Sequence, residues 1–305
     1  VVADDLGSND VGWRDLTVLS PELDHLAASG IILDAQYTWD WCAPSRGALM
    51  SGRYPSSTGF VGGGNPSSTG AGAVQVFPKA IPFLPAVLKS ANYTSVMAGK
   101  WHLGFARPAD TPEGRGFDAW LGYFTGGEDY YEHTASGLPR NCSAGPPPRD
   151  LWFASSVANG RPVAKPAYYG RYSTELYAEF LVDRIRGHSP DVGPLFLYAA
   201  FQGVHYPLQA PKRYFDRYPA EPGCGWDNQT LTPAGHPNGF ECAPDPMWPG
   251  LGKVGLACLC NRLVVKAQVS AVSEAVGNLT AALRDSGQWG RTVLIFTGDN
   301  GGPLD

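Results

Sequence analysis

The stretch "TSVMAGKWH" (94–102) is an apolar run of strand type that ends abruptly in Lys100 and His102. An uninterrupted apolar run of this length fits a strand buried on both faces, as in a parallel sheet. Three further runs end the same way. "VVADD" (1–5) delivers Asp4 and Asp5, "PLFLYAAFQGVH" (194–205) delivers His205, and "TVLIFTGDN" (292–300) delivers Asp299 and Asn300. Ligand groups of an open parallel sheet gather at the carboxyl ends of its strands, so clusters from opposite ends of the chain are expected to converge. Taken singly, each has a plainer reading. Asp-Asp after a strand is a turn or a helix cap, Gly-Asp-Asn-Gly is a turn, and a lone histidine is a structural residue. Their joint placement carries the argument.

Segments of helical period alternate with these strands. Ser20-Pro21 opens one that Gly30 closes, with Leu23, Leu26 and Ala27 on one face. Others run over about 83–91, 173–186 and 263–286, preceding strands at 94–98, 194–201 and 292–296 respectively. Ile31 to Leu33 reads as the start of an extended segment. The pattern predicts an α/β fold with a mostly parallel central sheet and helices on both faces. Gly- and Pro-rich loops are expected at 61–73 and 137–148, with a cysteine-containing one at 219–262.

Three aspartates and an asparagine offer only oxygen ligands, which suit a hard cation, Ca²⁺ or Mg²⁺, rather than zinc. Several converging carboxylates are costly unless a cation neutralises them. Lys100, Arg46 and the two histidines would then face an anionic substrate. Metal and cations together point to phosphoryl or sulfuryl transfer.

With 43% apolar residues over 305 positions, the chain can bury a large core. A net charge of −5 without a basic run gives no footprint for nucleic acid, and no apolar stretch reaches the roughly 20 residues that span a bilayer. The chain starts at "VVADDLG" without methionine and stops after "TGDNGGPLD", so it reads as a fragment. Acceptor sequons at Asn92, Asn141, Asn228 and Asn278, with Cys224, Cys242, Cys258 and Cys260 crowded together, lead us to expect the secretory pathway. Those four cysteines lack the paired C-x₂-C spacing of a zinc site, and disulfides are the expected use.

Cys42 sits in "WCAPSRG" (41–47), where a disulfide half, a buried thiol, a nucleophile and a precursor of another group are all open readings. "CAPSRGALMSGRYPSSTG" (42–59) resembles the sulfatase signature C-x-P-S-R followed by L-x-(S/T)-G-R. "ADDLG", "GKWHLG", "HYPL" (205–208) and "GDNGG" are similar to the other landmarks of that family, in its order. The stretches 115–133, 194–211 and 273–302 are similar to its arylsulfatase B (N-acetylgalactosamine 4-sulfatase) branch. The likeness weakens at 137–170 and is lost across 219–262, which reads as an insertion.

The resemblance implies an alkaline phosphatase/sulfatase-like catalytic domain, truncated at both ends. A smaller C-terminal sheet domain and a second lysine would lie beyond Asp305. It implies a sulfuric ester hydrolase acting on a sulfated sugar, lysosomal, vacuolar or extracellular. A phosphodiester or phosphonate hydrolase, and a non-catalytic glycan binder, are the alternatives. Cys42 would be oxidised by a formylglycine-generating enzyme to Cα-formylglycine, whose hydrate attacks sulfur. A serine-like nucleophile would be left holding a stable sulfate ester, whereas a hydrate expels sulfate by re-forming its C=O bond. Asp4, Asp5, Cys42, Asp299 and Asn300 would bind the cation, Ca²⁺ before Mg²⁺, and Arg46 and Lys100 would hold the diol. His102 would take its remaining proton, and His205 would orient the ester or protonate the leaving alcohol. Pro44 would start a short helix ending near Gly52, favouring anions at its N-terminus; Ser45 belongs to the modification signature or caps that helix.

Overall fold

The computed structural model describes residues 1–61, 77–135, 148–155, 162–219, 226–227, 232–233 and 256–302. Its centre is a seven-stranded sheet. Strands β1 (Val2–Ala3), β2 (Thr94–Lys100), β3 (Ala119–Tyr123), β4 (Trp152–Ser155), β5 (Val163–Ala164) and β6 (Leu195–Phe201) join the last strand in the order β5-β4-β3-β2-β6-β1-β9, where β9 is Thr297–Gly298. A separate two-stranded ribbon pairs β7 (Trp226–Asp227) with β8 (Thr232–Pro233). The run β3, β2, β6, β1, β9 is parallel, while β4 and β5 are antiparallel.

Side chains alternate across the sheet with period two, and each face meets its own core. Val96, Ala98, Leu121, Ala199 and Phe201 pack with α5 (Ser173–Gly187) and α7 (Leu256–Asp285). Those helices supply Tyr177, Leu181 and Ile185, and Val269, Val272, Val276, Leu279 and Leu283, each a stripe at three- and four-residue spacing. Met97, Trp120, Tyr198 and Ala200 face a second, aromatic core of Phe77, Phe83, Trp101 and Phe117, to which α2 (Cys42–Ser51) adds Ala43 and Met50. The remaining helices are short: α1 (Pro21–Ser29), α3 (Pro55–Thr58), α4 (Leu84–Lys89) and α6 (Lys212–Phe215). The strands approach so closely that a Cβ at Gly99, φ +103°, would fall 1.9 Å from the carbonyl oxygen of Ala200, which only glycine permits.

Several expectations move. The strand placed at 292–296 forms only at Thr297–Gly298. Val293 and Ile295 are 88% and 68% exposed, because β9 is the outermost strand and its ladder with β1 begins after the apolar run. Ile31 to Leu33 joins no strand and stays exposed. The last long helix begins at Leu256, seven residues before the expected Leu263, so it takes in the end of the segment read as an insertion. Ser20 does not cap α1; its hydroxyl accepts from Gly12 N–H at 2.8 Å and donates to Asp24 at 2.8 Å. The antiparallel β4 and β5 had no expectation. Cys260 is buried and disulfide-bonded, while Cys224, Cys242, Asn141 and Asn228 lie outside the described residues. Asn92 and Asn278 are exposed, one in the turn before β2 and one on α7. No described helix is long and apolar enough to cross a membrane.

Candidate active site

The carboxyl ends of β1, β2, β6 and β9 meet, and all nine residues singled out in the sequence fall there. Asp4 leaves β1 with its amide donating to Gly203 O at 2.9 Å, while Val204 N–H donates back to Asp4 O. Asp299 leaves β9 with its amide donating to Ala3 O at 3.1 Å. Both carboxylates are buried, and Lys100, at the end of β2 and fully buried, donates Nζ to Asp4 Oδ2 at 2.6 Å. Asp5, in the left-handed region at φ 56°, donates its amide to Asp299 Oδ1 and accepts from Asn300 Nδ2 at 2.7 Å.

Arg46 enters from α2. This helix starts at Cys42 with Pro44 in its first turn, where proline costs no hydrogen bond, and ends at Gly52 in the left-handed conformation. Ser45 caps nothing: its hydroxyl donates to Trp39 O at 2.9 Å and ties down the segment leading into the helix. The guanidinium of Arg46 is fully buried. Nε donates to Asp299 Oδ2 at 2.9 Å, Nη1 to Lys100 O at 3.2 Å, and Nη2 lies 3.3 Å from Asp4 Oδ1. It is thus directed at the carboxylates, and its counter-charge is their main local partner. Burial pushes Asp299 above the usual carboxylate range, with Asp4 adding repulsion. Burial pushes Asp4 the same way, but Lys100, His205 and Arg46 outweigh it and hold its carboxyl low.

Asp4 Oδ1 and Asn300 Oδ1 are buried without a hydrogen-bond partner. Ligand atoms of Asp4, Cys42 and Asp299 lie within 4.8 Å of one another. Buried oxygens that accept no hydrogen bond, among crowded carboxylates, are what a hard divalent cation would satisfy, so the residues present fit such an ion.

Cys42, at the first position of α2, has Sγ 3.3 Å from His102 Nδ1. Burial pushes its thiol up, with Lys100 pulling the other way. His102 adopts φ 55° and hangs from Phe124 O through its amide at 3.2 Å. A Cβ at Gly126 would sit 2.9 Å from its ring, so the loop after β3 closes directly against it. Across the site, His205 Nε2 is 3.7 Å from Asp5 Oδ2, and its Nδ1 faces Tyr206 O, which fixes the proton on Nδ1 in the neutral ring.

Behind both histidines lies a buried polar plate that the sequence reading did not single out. Glu128 accepts from Tyr177 Oη at 2.5 Å and faces His133 Nδ1 at 3.3 Å; Gln202 Nε2 donates to its carbonyl. Asp150 accepts from the amides of Phe124 and Thr125, the Thr125 hydroxyl and Trp152 Nε1. Burial raises Glu128, and His133, which burial alone would lower, is raised by Glu128. Unfolded Glu and His titrate near about 4.3 and 6.5, so the folded pair retains protons that the unfolded chain has lost. Glu128's share is complete below its unfolded value and His133's below its own, and each is lost as pH rises through the raised folded value. Thermal midpoints should therefore begin to fall as pH increases above about 4.3 and fall further above about 6.5, and Glu128→Gln should flatten that slope in a pH series of melting curves.

The family model described as Sulfatase matches residues 1–305. Arylsulfatase J of Mus musculus is 32% identical over 302 residues, covering 99% of this chain and 42% of the mouse protein. N-acetylgalactosamine-6-sulfatase of Rattus norvegicus is 32% identical over 232 residues, covering 68% of this chain and 40% of the rat protein. The crystal structure of Ps i-CgsB superposes with TM-score 0.69 at 25% identity over 100% of this chain and 58% of that one; its complex with k-i-k-neocarrahexaose gives 0.68. The chain spans less than half the length of either curated relative.

Proposed function

This chain belongs to the sulfatase family, and we propose that the protein carrying it hydrolyses sulfate esters on a sulfated sugar. The observation that supports this most is the meeting of Cys42 and His102, 3.3 Å apart, beside the buried Asp4–Lys100–Arg46–Asp299 cluster. Cys42, once converted to Cα-formylglycine, would supply a hydrated aldehyde, whose one hydroxyl is a nucleophile toward sulfur and whose second allows sulfate to leave. Asp4, Asp5, Asp299, Asn300 and the side chain at position 42 would hold a divalent cation, Ca²⁺ in our reading, which would supply positive charge to an anionic substrate.

The chain's own groups do the rest. Lys100 holds Asp4 ionised and places a buried positive charge next to the reacting centre. Arg46 fixes Asp4 and Asp299 side by side, which keeps their oxygens preorganised. His102 accepts the proton of the position-42 hydroxyl at Nδ1. His205, with Nδ1 committed to Tyr206 O, delivers a proton from Nε2 to the departing alcohol.

Relatives named for N-acetylgalactosamine and a neighbour bound to a neocarrahexaose support a sulfated hexosamine or galactose unit. The disulfide at Cys260 and the exposed Asn92 and Asn278 sequons support maturation in the secretory pathway, with lysosomal, vacuolar or extracellular delivery. A formylglycine-generating enzyme is the partner that this maturation requires. Sulfate release by the full-length protein tests the proposal. An aryl sulfate should be turned over in preference to an aryl phosphodiester, activity should vanish with chelator, and calcium should restore it better than magnesium. Faster phosphodiester turnover, or glycan binding without sulfate release, would overturn it.

A further inference from the structure

One loop, 124–135, touches both histidines of the site. At its near end Gly126 packs on the His102 ring; at its far end the Tyr130 hydroxyl donates to His205 O at 2.8 Å. Tyr130 is 0% exposed and held from four sides. Its amide donates to Gln209 Oε1 at 2.8 Å, its carbonyl accepts from Ser173 N–H at 2.8 Å, and its ring stacks on Tyr172 with centroids 5.3 Å apart and planes 14° from parallel. Gln209 in turn donates to Asp129 Oδ2 at 2.7 Å. The hydroxyl is therefore a fixed point delivered to the backbone of a histidine that is itself partly exposed at a strand end.

His205 has few other anchors. Its amide donates to Gln202 O at 2.9 Å, and Gln202 is bound to Glu128 O of the same loop and to Ser173 Oγ. Both backbone constraints on His205 thus lead back to 124–135. A hydrogen bond to this part-buried carbonyl restricts its peptide plane, which here carries Tyr206 N–H and leads directly into the residue whose carbonyl faces His205 Nδ1.

We propose that Tyr130 is a positioning residue for proton delivery to the leaving alcohol: through the His205 carbonyl it sets the direction of Nε2. This rests on the proposed role of His205 and deepens it. Such a role has a signature that general loosening lacks. Expelling a poor leaving group, an alkyl or sugar alcohol, needs the proton; expelling 4-nitrophenolate hardly does.

The test compares kcat on 4-nitrophenyl sulfate and on a sugar O-sulfate for the full-length wild type, His205→Ala, Tyr130→Phe and Tyr172→Phe. Tyr130→Phe keeps the ring in its stack and removes one hydrogen bond, so the sugar sulfate should lose about tenfold and the aryl sulfate less than about threefold. KM should change little. Tyr172→Phe removes a hydroxyl from the same stack, one that donates to Gln209 O rather than His205, and should affect both substrates by the same factor. Equal losses for Tyr130→Phe, or none, while His205→Ala remains selective, would overturn the inference and leave the His205 role standing. A His205→Ala variant without selectivity would overturn that role, and the inference would fall with it. If Tyr130→Phe does not fold, Gln209→Met, which frees the Tyr130 amide, is read by the same ratio.

Discussion

Cys42→Ser is expected to give a single burst of product, at most one equivalent per enzyme, and then stop. A serine hydroxyl at this position can take sulfate from the ester but has no second hydroxyl with which to release it, so the protein should gain the mass of one sulfate and keep it. Cys42→Ala should lack even the burst, with steady-state turnover lower by a factor on the order of 10⁵, the scale of losing an enzyme nucleophile. Neither change should much affect folding. Cys42 is partly exposed at a helix start, and its thiol makes its one hydrogen-bond-range contact with His102, so melting should shift by less than about 1 kcal/mol. Time courses under excess substrate, with intact mass spectra at the plateau, check both variants.

The second large effect concerns stability. Arg46 is buried with its guanidinium between Asp4 and Asp299, and Lys100 covers only the far oxygen of Asp4. Arg46→Met fills a similar space but leaves two facing carboxylates with Lys100 reaching only the far oxygen of Asp4. Removing one partner of a buried charge cluster costs about 3–5 kcal/mol, which for a domain of this size lowers the melting temperature by on the order of 10 °C. The loss should be largest in chelator. Calcium should raise the melting temperature of Arg46→Met more than that of wild type, because it supplies the missing charge at Asp4 Oδ1 and Asp299. A cation-independent melting temperature in both proteins would remove the metal from this site.

The convergence of these side chains was legible because parallel-sheet geometry turns a local pattern into a long-range one. Lys100, His205 and Asp299 each follow an apolar run, and strands that run the same way bring their ends together whatever the sequence separation. The same logic could not position the edge strand. "TVLIF" has strand composition, but composition does not say where pairing begins, and only Thr297 and Gly298 reach β1. Ile31 to Leu33 failed likewise, being apolar without a partner. The buried plate was out of reach for another reason. Glu128 finds Tyr177 49 residues away and Tyr130 finds Gln209 79 residues away, and no local spacing marks such pairs. "GGEDYYEH" (126–133) contributed only to a family likeness, although it braces both histidines. Arg46 was expected to face the anion; its burial between two aspartates, invisible in "CAPSRG", makes it a part of the scaffold that holds the carboxylates.

The central claim is that Cys42 is a precursor, and the most direct measurement is peptide mass spectrometry of residue 42 in the active full-length protein from its native source. The account predicts an aldehyde in place of the thiol: a peptide without the cysteine sulfur that forms a hydrazone with a hydrazide probe. An active preparation in which every Cys42 peptide retains its unmodified thiol would contradict it.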